Sequence, residues 1–365
     1  MQEAFGLYPW PYRKEYPRPT QSDRPARTGR FIKYIPGRKL PGYLHLVRTG
    51  QRLRVMKAGS IIAGTILALE FFSCRIGAGA LLPGTVQCPL TVLHGRLYVR
   101  AILQGQAQPT WWLVDTGSPW SLVNADQIRG LVQSNPGITG QVATAVGRTL
   151  PVLKNIGINV AGQSMGPFDF LRYPSLGAID ANRNSRVGYQ RPFQTGGVLG
   201  LNFLVQHRAR FDFPAQRLFL TAGSGLSGLS HARFEGFTAV PIQITAPGRI
   251  EVFGLVGSRL YSFLIDTGSH RSMIDWKIKE ANQVPVRYSG TLYFGLIDRT
   301  VPTAMGDLQN FKLGTLDVSK KFVQFASLGI SLPGFSHPFG GIIGEDFLWD
   351  HQATLDIGGR TLYLK

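Results

Sequence analysis

The chain has 365 residues, 44% of them hydrophobic and 22 of them Phe, enough for two globular units with real cores, which excludes a disordered protein. Its 44 Gly and 23 Pro follow no collagen-like period and favour short strands joined by tight turns, while two cysteines, Cys74 and Cys88, exclude a disulfide framework and a cysteine-rich metal site. The formal net charge is +18 and is unevenly spread.

Residues 1–57 carry 13 Lys or Arg against three acids, Glu3, Glu15 and Asp23. This basic, Pro-rich extension, with Tyr8, Tyr12, Tyr16 and Tyr34 interleaved, is read as a solvated, disordered tail beside a membrane segment; contact with nucleic acid or anionic lipid is the alternative, and no nucleic-acid partner is expected. From Ala58 the run AGSIIAGTILALEFFSC holds 17 residues and one charge, Glu70. It is short of the ~20 residues of a typical span. Residues 58–80 are therefore expected to act as a signal peptide or membrane anchor, with Met56 and Lys57 as a short basic start and Gly77 to Ala80 as small residues at a cleavage point. Membrane association through this segment, and an exported or membrane-anchored remainder, follow from that reading. A buried core helix is the alternative.

Beyond the leader the chain repeats itself. Gly95-Arg-Leu-Tyr-Val-Arg-Ala-Ile-Leu leads in 20 residues to Asp115, and Gly248-Arg-Ile-Glu-Val-Phe-Gly-Leu-Val leads in 18 to Asp266. Gly197 to Leu220 aligns without a gap against Gly341 to Leu364 at a constant offset of 144, matching Phe203 with Phe347, His207 with His351 and Asp212 with Asp356. A repeat this long is a duplicated domain, since solenoid units run ~20–50 residues. The boundaries read as a first lobe at 88–222, a Gly/Ser-rich linker at 223–235 and a second lobe at 236–365.

In chain order, Arg96 to Leu103 and Arg249 to Val256 are expected strands. Trp111 to Val114 and Phe263 to Ile265 are short buried strands that end at an Asp. Arg210 to Phe213 and Thr354 to Ile357, each followed by a turn and an apolar strand, read as closing hairpins. Helices are confined to short pieces after Gly200, after Gly344 and around Ala125 to Leu131. His207 and His351 are expected to finish the first two of these as cap residues, and Asp212 and Asp356 to hold turns. Trp111, Trp112 and Trp120 are assigned to the core, with a substrate pocket as the alternative for Trp120.

Chemistry concentrates in the two Asp-Thr-Gly-Ser segments. Hydrolysing a peptide without metal or nucleophile needs one group to take a proton from water and another to give one up, and two carboxyls sharing a proton can do both. Asp115 and Asp266 are the candidate pair, provided the halves pack about a pseudo-twofold axis. Gly117 and Gly268 let the loops approach closely. Thr116 and Thr267 can bond across to the opposite loop, and Ser118 and Ser269 can donate to the outer carboxylate oxygens. The Gly-x-x-Gly segments at 197–200 and 341–344 offer a side-chain-free surface on which each loop can rest. Neither serine lies in Gly-x-Ser-x-Gly, no glycine-rich phosphate loop is present, and no ligand-spaced His, Cys or carboxylate cluster points to a metal.

At these residues the chain resembles the retropepsin-like and pepsin-like aspartic peptidases: two hydrophobic residues, Asp-Thr-Gly-Ser, then hydrophobic-hydrophobic-Gly-x-x-Phe-Leu, in that order, twice over residues 90–365. The resemblance implies an all-β fold of two homologous, closed β-barrel-like lobes related by a pseudo-twofold axis, with few short helices. It also implies one active site at the lobe interface, a polypeptide substrate, a hairpin flap and no cofactor. Thr144, Ala145, Val146 and Gly147 resemble the family flap; Tyr293-Phe294-Gly295 is a weaker counterpart, so an asymmetric one-flap cleft is expected. Pro119 and His270 depart from the small or acidic residues common after the serine, and His270 is assigned to solvent. The activity implied is that of an aspartic endopeptidase acting as a monomer with an intramolecular pseudo-dimer. The alternatives are an inactive relative binding extended peptides or an envelope partner, and a site shared between two molecules.

Overall fold

The computed structural model describes residues 84–365 apart from 94, 129–137, 144–148, 175–194, 222–234, 247, 295–298 and 329–333. The basic leader, the apolar segment 58–80, the flap residues Thr144, Ala145, Val146 and Gly147, and residues 223–234 of the linker lie outside the described residues. Among the described residues no helix is long and apolar enough to cross a membrane.

The fold is all-β with two lobes and few short helices. In the first half the strand Arg96–Leu103 turns Leu97, Val99, Ala101 and Leu103 to the core, as a period of two requires. It pairs with Thr110–Val114 on one side and with Thr149–Val160 on the other. The ring Arg96–Leu103, Thr110–Val114, Thr195–Leu199, Leu122–Asn124, Gln163–Tyr173, Thr149–Val160 thereby closes into a barrel. Two of its pairings are parallel, Thr110–Val114 with Thr195–Leu199 and Leu122–Asn124 with Gln163–Tyr173.

The second half repeats this order. Arg249–Val256, Arg259–Ile265, Phe339–Ile343, Met273–Asp275, Lys320–Ala326 and Arg299–Leu308 follow one another, again with two parallel pairings at the corresponding places. Phe311–Leu313 continues Arg299–Leu308 after a short break and pairs with Arg249–Val256. Both halves kink this strand at an asparagine in the left-handed region, Asn155 (φ 56°) and Asn310 (φ 53°), a conformation Asn tolerates better than most side chains.

The closing hairpins meet one another. Arg210–Asp212 pairs antiparallel with Thr354–Asp356, at the centre of a sheet that runs Thr85–Pro89, Arg217–Thr221, Arg210–Asp212, Thr354–Asp356, Thr361–Leu364, Thr238–Thr245. The central pair is Phe211 opposite Leu355, residues equivalent under the offset of 144, so the pseudo-twofold axis crosses the sheet there. One apolar cluster runs through this sheet into both halves, joining Val99 and Trp112 to Phe211, Leu355, Val252 and Phe263. Each large side chain buried this fully contributes roughly 1.5–3 kcal/mol. Cys88 is buried in the same cluster, and burial pushes its thiol up to about 12.

Helices Leu201–Gln206 and Glu345–Asp350 stand where they are expected, and residues 125–128 form a 3-10 turn. A third helix, Trp276–Ala281, was not foreseen; Asp275 caps it by accepting the Lys277 N–H at 3.0 Å. His207 and His351 are indeed helix cap residues. Asp212 and Asp356 hold turns, accepting the N–H of Ala215 and of Gly359. Trp112 is fully buried, but Trp120 is 45% exposed, which corrects its assignment to the core.

Candidate active site

Each Asp-Thr-Gly-Ser loop leaves the end of a buried strand that lies parallel to the strand of its own half's Gly-x-x-Gly segment. The backbone holds the aspartates there: Asp115 N–H donates to Leu199 O and Asp266 N–H to Ile343 O, both at 3.0 Å. The short helix that follows each Gly-x-x-Gly turns its first N–H groups onto the loop. Leu201 N–H donates to Ser118 O at 2.7 Å and Glu345 N–H to Ser269 O at 2.9 Å, so helix-end donors without an internal partner bind loop carbonyls. The glycines are sterically necessary, since a β-carbon on Gly200 would overlap the Trp120 carbonyl and one on Gly344 would stand 2.7 Å from Ser269 O.

The two loops face each other. Thr116 Oγ1 donates to Ile265 O at 2.9 Å and accepts the Thr267 N–H at 3.0 Å; Thr267 Oγ1 donates to Val114 O at 2.8 Å and accepts the Thr116 N–H at 3.1 Å. Both threonines are fully buried, and this reciprocal set binds the halves at the base of the site. A β-carbon on Gly117 would overlap the Asp266 carboxyl and one on Gly268 the Asp115 carboxyl, so glycine is required by the approach itself.

The Asp115 and Asp266 carboxyls meet between the loops, each lying against the glycine of the opposite loop, and each acts on the other's protonation. Asp115 Oδ1 accepts two backbone N–H groups, from Gly117 at 2.8 Å and Ser118 at 3.1 Å, whereas Asp266 Oδ1 accepts the Gly268 N–H at 2.9 Å. Burial raises the proton affinity of both carboxyls. Asp266 also faces the negative charge of Asp115 and is pushed up to about 8. For Asp115, bonds from Asp266, Gly117 and Ser118 and the nearby Arg96 charge oppose the rise.

The serine hydroxyls do not reach the carboxyls as expected. Ser118 Oγ donates to Trp120 O at 2.7 Å and Ser269 Oγ to Arg271 O at 2.8 Å, each hydroxyl giving its one hydrogen to a carbonyl two residues ahead. His270 is exposed, yet its imidazole stands over Gly95 of the other half, where a β-carbon would overlap the ring. Pro119 sits against Gly248 in the equivalent way.

Several residues at the site escaped the sequence reading. Ser121 donates through N–H and Oγ to Asn202 Oδ1 and accepts the Gly200 N–H; Ser272 does the same with Asp346 and Gly344. The signal was present as matched Ser and Asx residues in the two copies. Arg249, 6% exposed, reaches across to donate to Gly117 O at 2.8 Å, and its charge acts on both carboxyls. Glu345, 1% exposed, accepts the Leu97 N–H at 2.8 Å.

Ile138–Ala143 with Thr149–Val160, and Val286–Phe294 with Arg299–Leu308, are antiparallel pairs at equivalent places in the two halves, the second ending at Tyr293 and Phe294 of the weaker flap counterpart; the turns of both pairs lie outside the described residues. Among the described residues no group of three or more His, Cys, Asp or Glu could hold a metal ion.

No protein-family model matches this chain, and no curated protein does. Among solved structures the chain is similar to the basic 7S globulin from soybean, at 12% identity and a TM-score of 0.42, over 77% of this chain and 95% of that one. A likeness at that level says nothing of this chain's chemistry.

Proposed function

We propose that the protein is an aspartic endopeptidase whose single active site is the Asp115–Asp266 pair. The observation that carries this reading is the meeting of two carboxyls supplied by duplicated loops, each lying against the glycine of the opposite loop, held by a backbone N–H of its own loop and joined by the crossed threonines. Close carboxyls do not ionise together, so one proton is shared. Asp115, with two backbone donors and Arg96 nearby, is the ionised partner, and Asp266 holds the proton.

In the reaction Asp115 takes a proton from water as its oxygen attacks the scissile carbonyl carbon, and Asp266 gives its proton to the carbonyl oxygen. The resulting diol collapses as the amide nitrogen takes the proton from Asp115, the C–N bond breaks, and a diol hydroxyl returns its proton to Asp266. Both carboxyls end as they began, and no cofactor enters the balance. The substrate is a polypeptide, and the paired hairpins offer extended chains a backbone to lie against. Export or membrane anchoring through residues 58–80 belongs to the same proposal.

The test is cleavage of a mixed peptide library by the full chain, read by mass spectrometry, in wild type and Asp115→Asn. Cleavage in the first and a loss of at least ~10³-fold in the second is the expected outcome. Peptides captured but left intact by the wild type would make this a binding module instead.

A further inference from the structure

The second half sends a third carboxyl across to the first. Glu345 opens the helix Glu345–Asp350, and its Oε1 accepts the N–H of Leu97, a residue 248 positions away. Leu97 follows Arg96, whose charge acts on both Asp115 and Glu345. The charged groups facing Glu345 are Arg96, Asp266 and Asp115; the titratable and charged groups facing Asp115 are Asp266, Arg96, Arg249 and Glu345 itself. Under the offset of 144 the residue equivalent to Glu345 is Leu201, so no carboxyl returns this contact from the first half.

We propose that Glu345 is a positioning residue: by holding the Leu97 N–H it fixes the start of the strand Arg96–Leu103 and keeps the Arg96 charge beside Asp115, so that Asp115 is the carboxyl that ionises first. This rests on the dyad reading given above. Burial pushes Glu345 up to about 9, so it stays neutral through the working range and a neutral amide with the same acceptor can replace it.

Carboxyl ¹³C NMR of the full chain labelled at aspartate follows Asp115 directly, the resonance being identified by its loss in Asp115→Asn. The titration of Glu345→Gln is expected to track wild type, whereas Glu345→Leu is expected to raise the Asp115 midpoint by about one pH unit, roughly tenfold in proton affinity. A role limited to packing would lower stability without moving that midpoint. Should Glu345→Leu fail to fold, Arg96→Gln must raise the midpoint instead. An unmoved midpoint in Glu345→Leu or in Arg96→Gln, or a shift in Glu345→Gln as large as that of the Leu variant, overturns the proposal. The titration reads the carboxyls whether or not any peptide is cut, so an inert wild type that shows this pattern would remove the peptidase reading and leave the positioning role.

Discussion

At the scale of single residues, the chemistry depends on how unequally two identical motifs are treated. Asp115 and Asp266 are each followed by Thr-Gly-Ser, yet one accepts two backbone N–H groups within its own loop and the other accepts one. On the proposed peptidase reading the active form is the singly protonated pair, so kcat/KM is expected to rise with pH as Asp115 ionises, above the usual carboxylate range, and to fall as Asp266 loses its proton near pH 8. A pH profile on any cleaved peptide checks this, and an alkaline limb below about pH 6 would contradict the burial of Asp266. The motifs themselves were legible because each role is tied to a residue type, glycine for the approach and threonine for the crossing bond. The serine role was misjudged because a hydroxyl has one hydrogen to donate, and spacing alone does not reveal that it goes to Trp120 O or Arg271 O. Arg249 and Glu345 act across the interface between halves, where no local pattern announces them.

At the scale of elements, the crossed threonines and the closing strands carry the assembly. Thr116→Val leaves the buried Thr267 N–H and Ile265 O without partners and is expected to destabilise the fold by about 2–4 kcal/mol, measurable by denaturant unfolding. The His207 ring packs tilted against Phe203 with centroids 4.3 Å apart, and its Nδ1 bonds Thr221 O at 3.1 Å, pinning a closing strand of the central sheet to the helix. Since a carbonyl only accepts, Nδ1 carries the hydrogen. Nε2 is buried and has no hydrogen-bond partner among the described residues, and burial lowers the proton affinity of the ring. The folded state thus binds fewer protons than the unfolded one below about pH 6.5, so this contribution is intact above that pH and is lost as pH falls towards the folded value. The stability advantage of wild type over His207→Gln is therefore expected to shrink between pH 7.5 and pH 5, as read from Tm at each pH. Strands and closing hairpins were legible from period and turn signals. The helix Trp276–Ala281 was not, because Trp276 and Ile278 alone give too short an apolar stripe to show a helical period. The second hairpin was only faintly legible, through Tyr293-Phe294 at its end, because its strands share a topology with Ile138–Ala143 and Thr149–Val160 but no clear sequence motif.

At the scale of the whole molecule, duplication explains both the symmetry and its breaking. Phe211 opposite Leu355 places the axis, and the pairing of the two closing hairpins makes one continuous sheet and core of both halves. That pairing could not be read from either hairpin alone, since an edge strand carries no signal naming its partner. One chain therefore supplies both carboxyls, and dilution is not expected to change specific activity. The most direct measurement is peptide cleavage by wild type, Asp115→Asn, Asp266→Asn and an equimolar mixture of the two variants. The expected result is activity in the wild type only, with the mixture as inert as its components. Activity kept by either single variant, or regained on mixing, would contradict a site formed by the two carboxyls of one molecule.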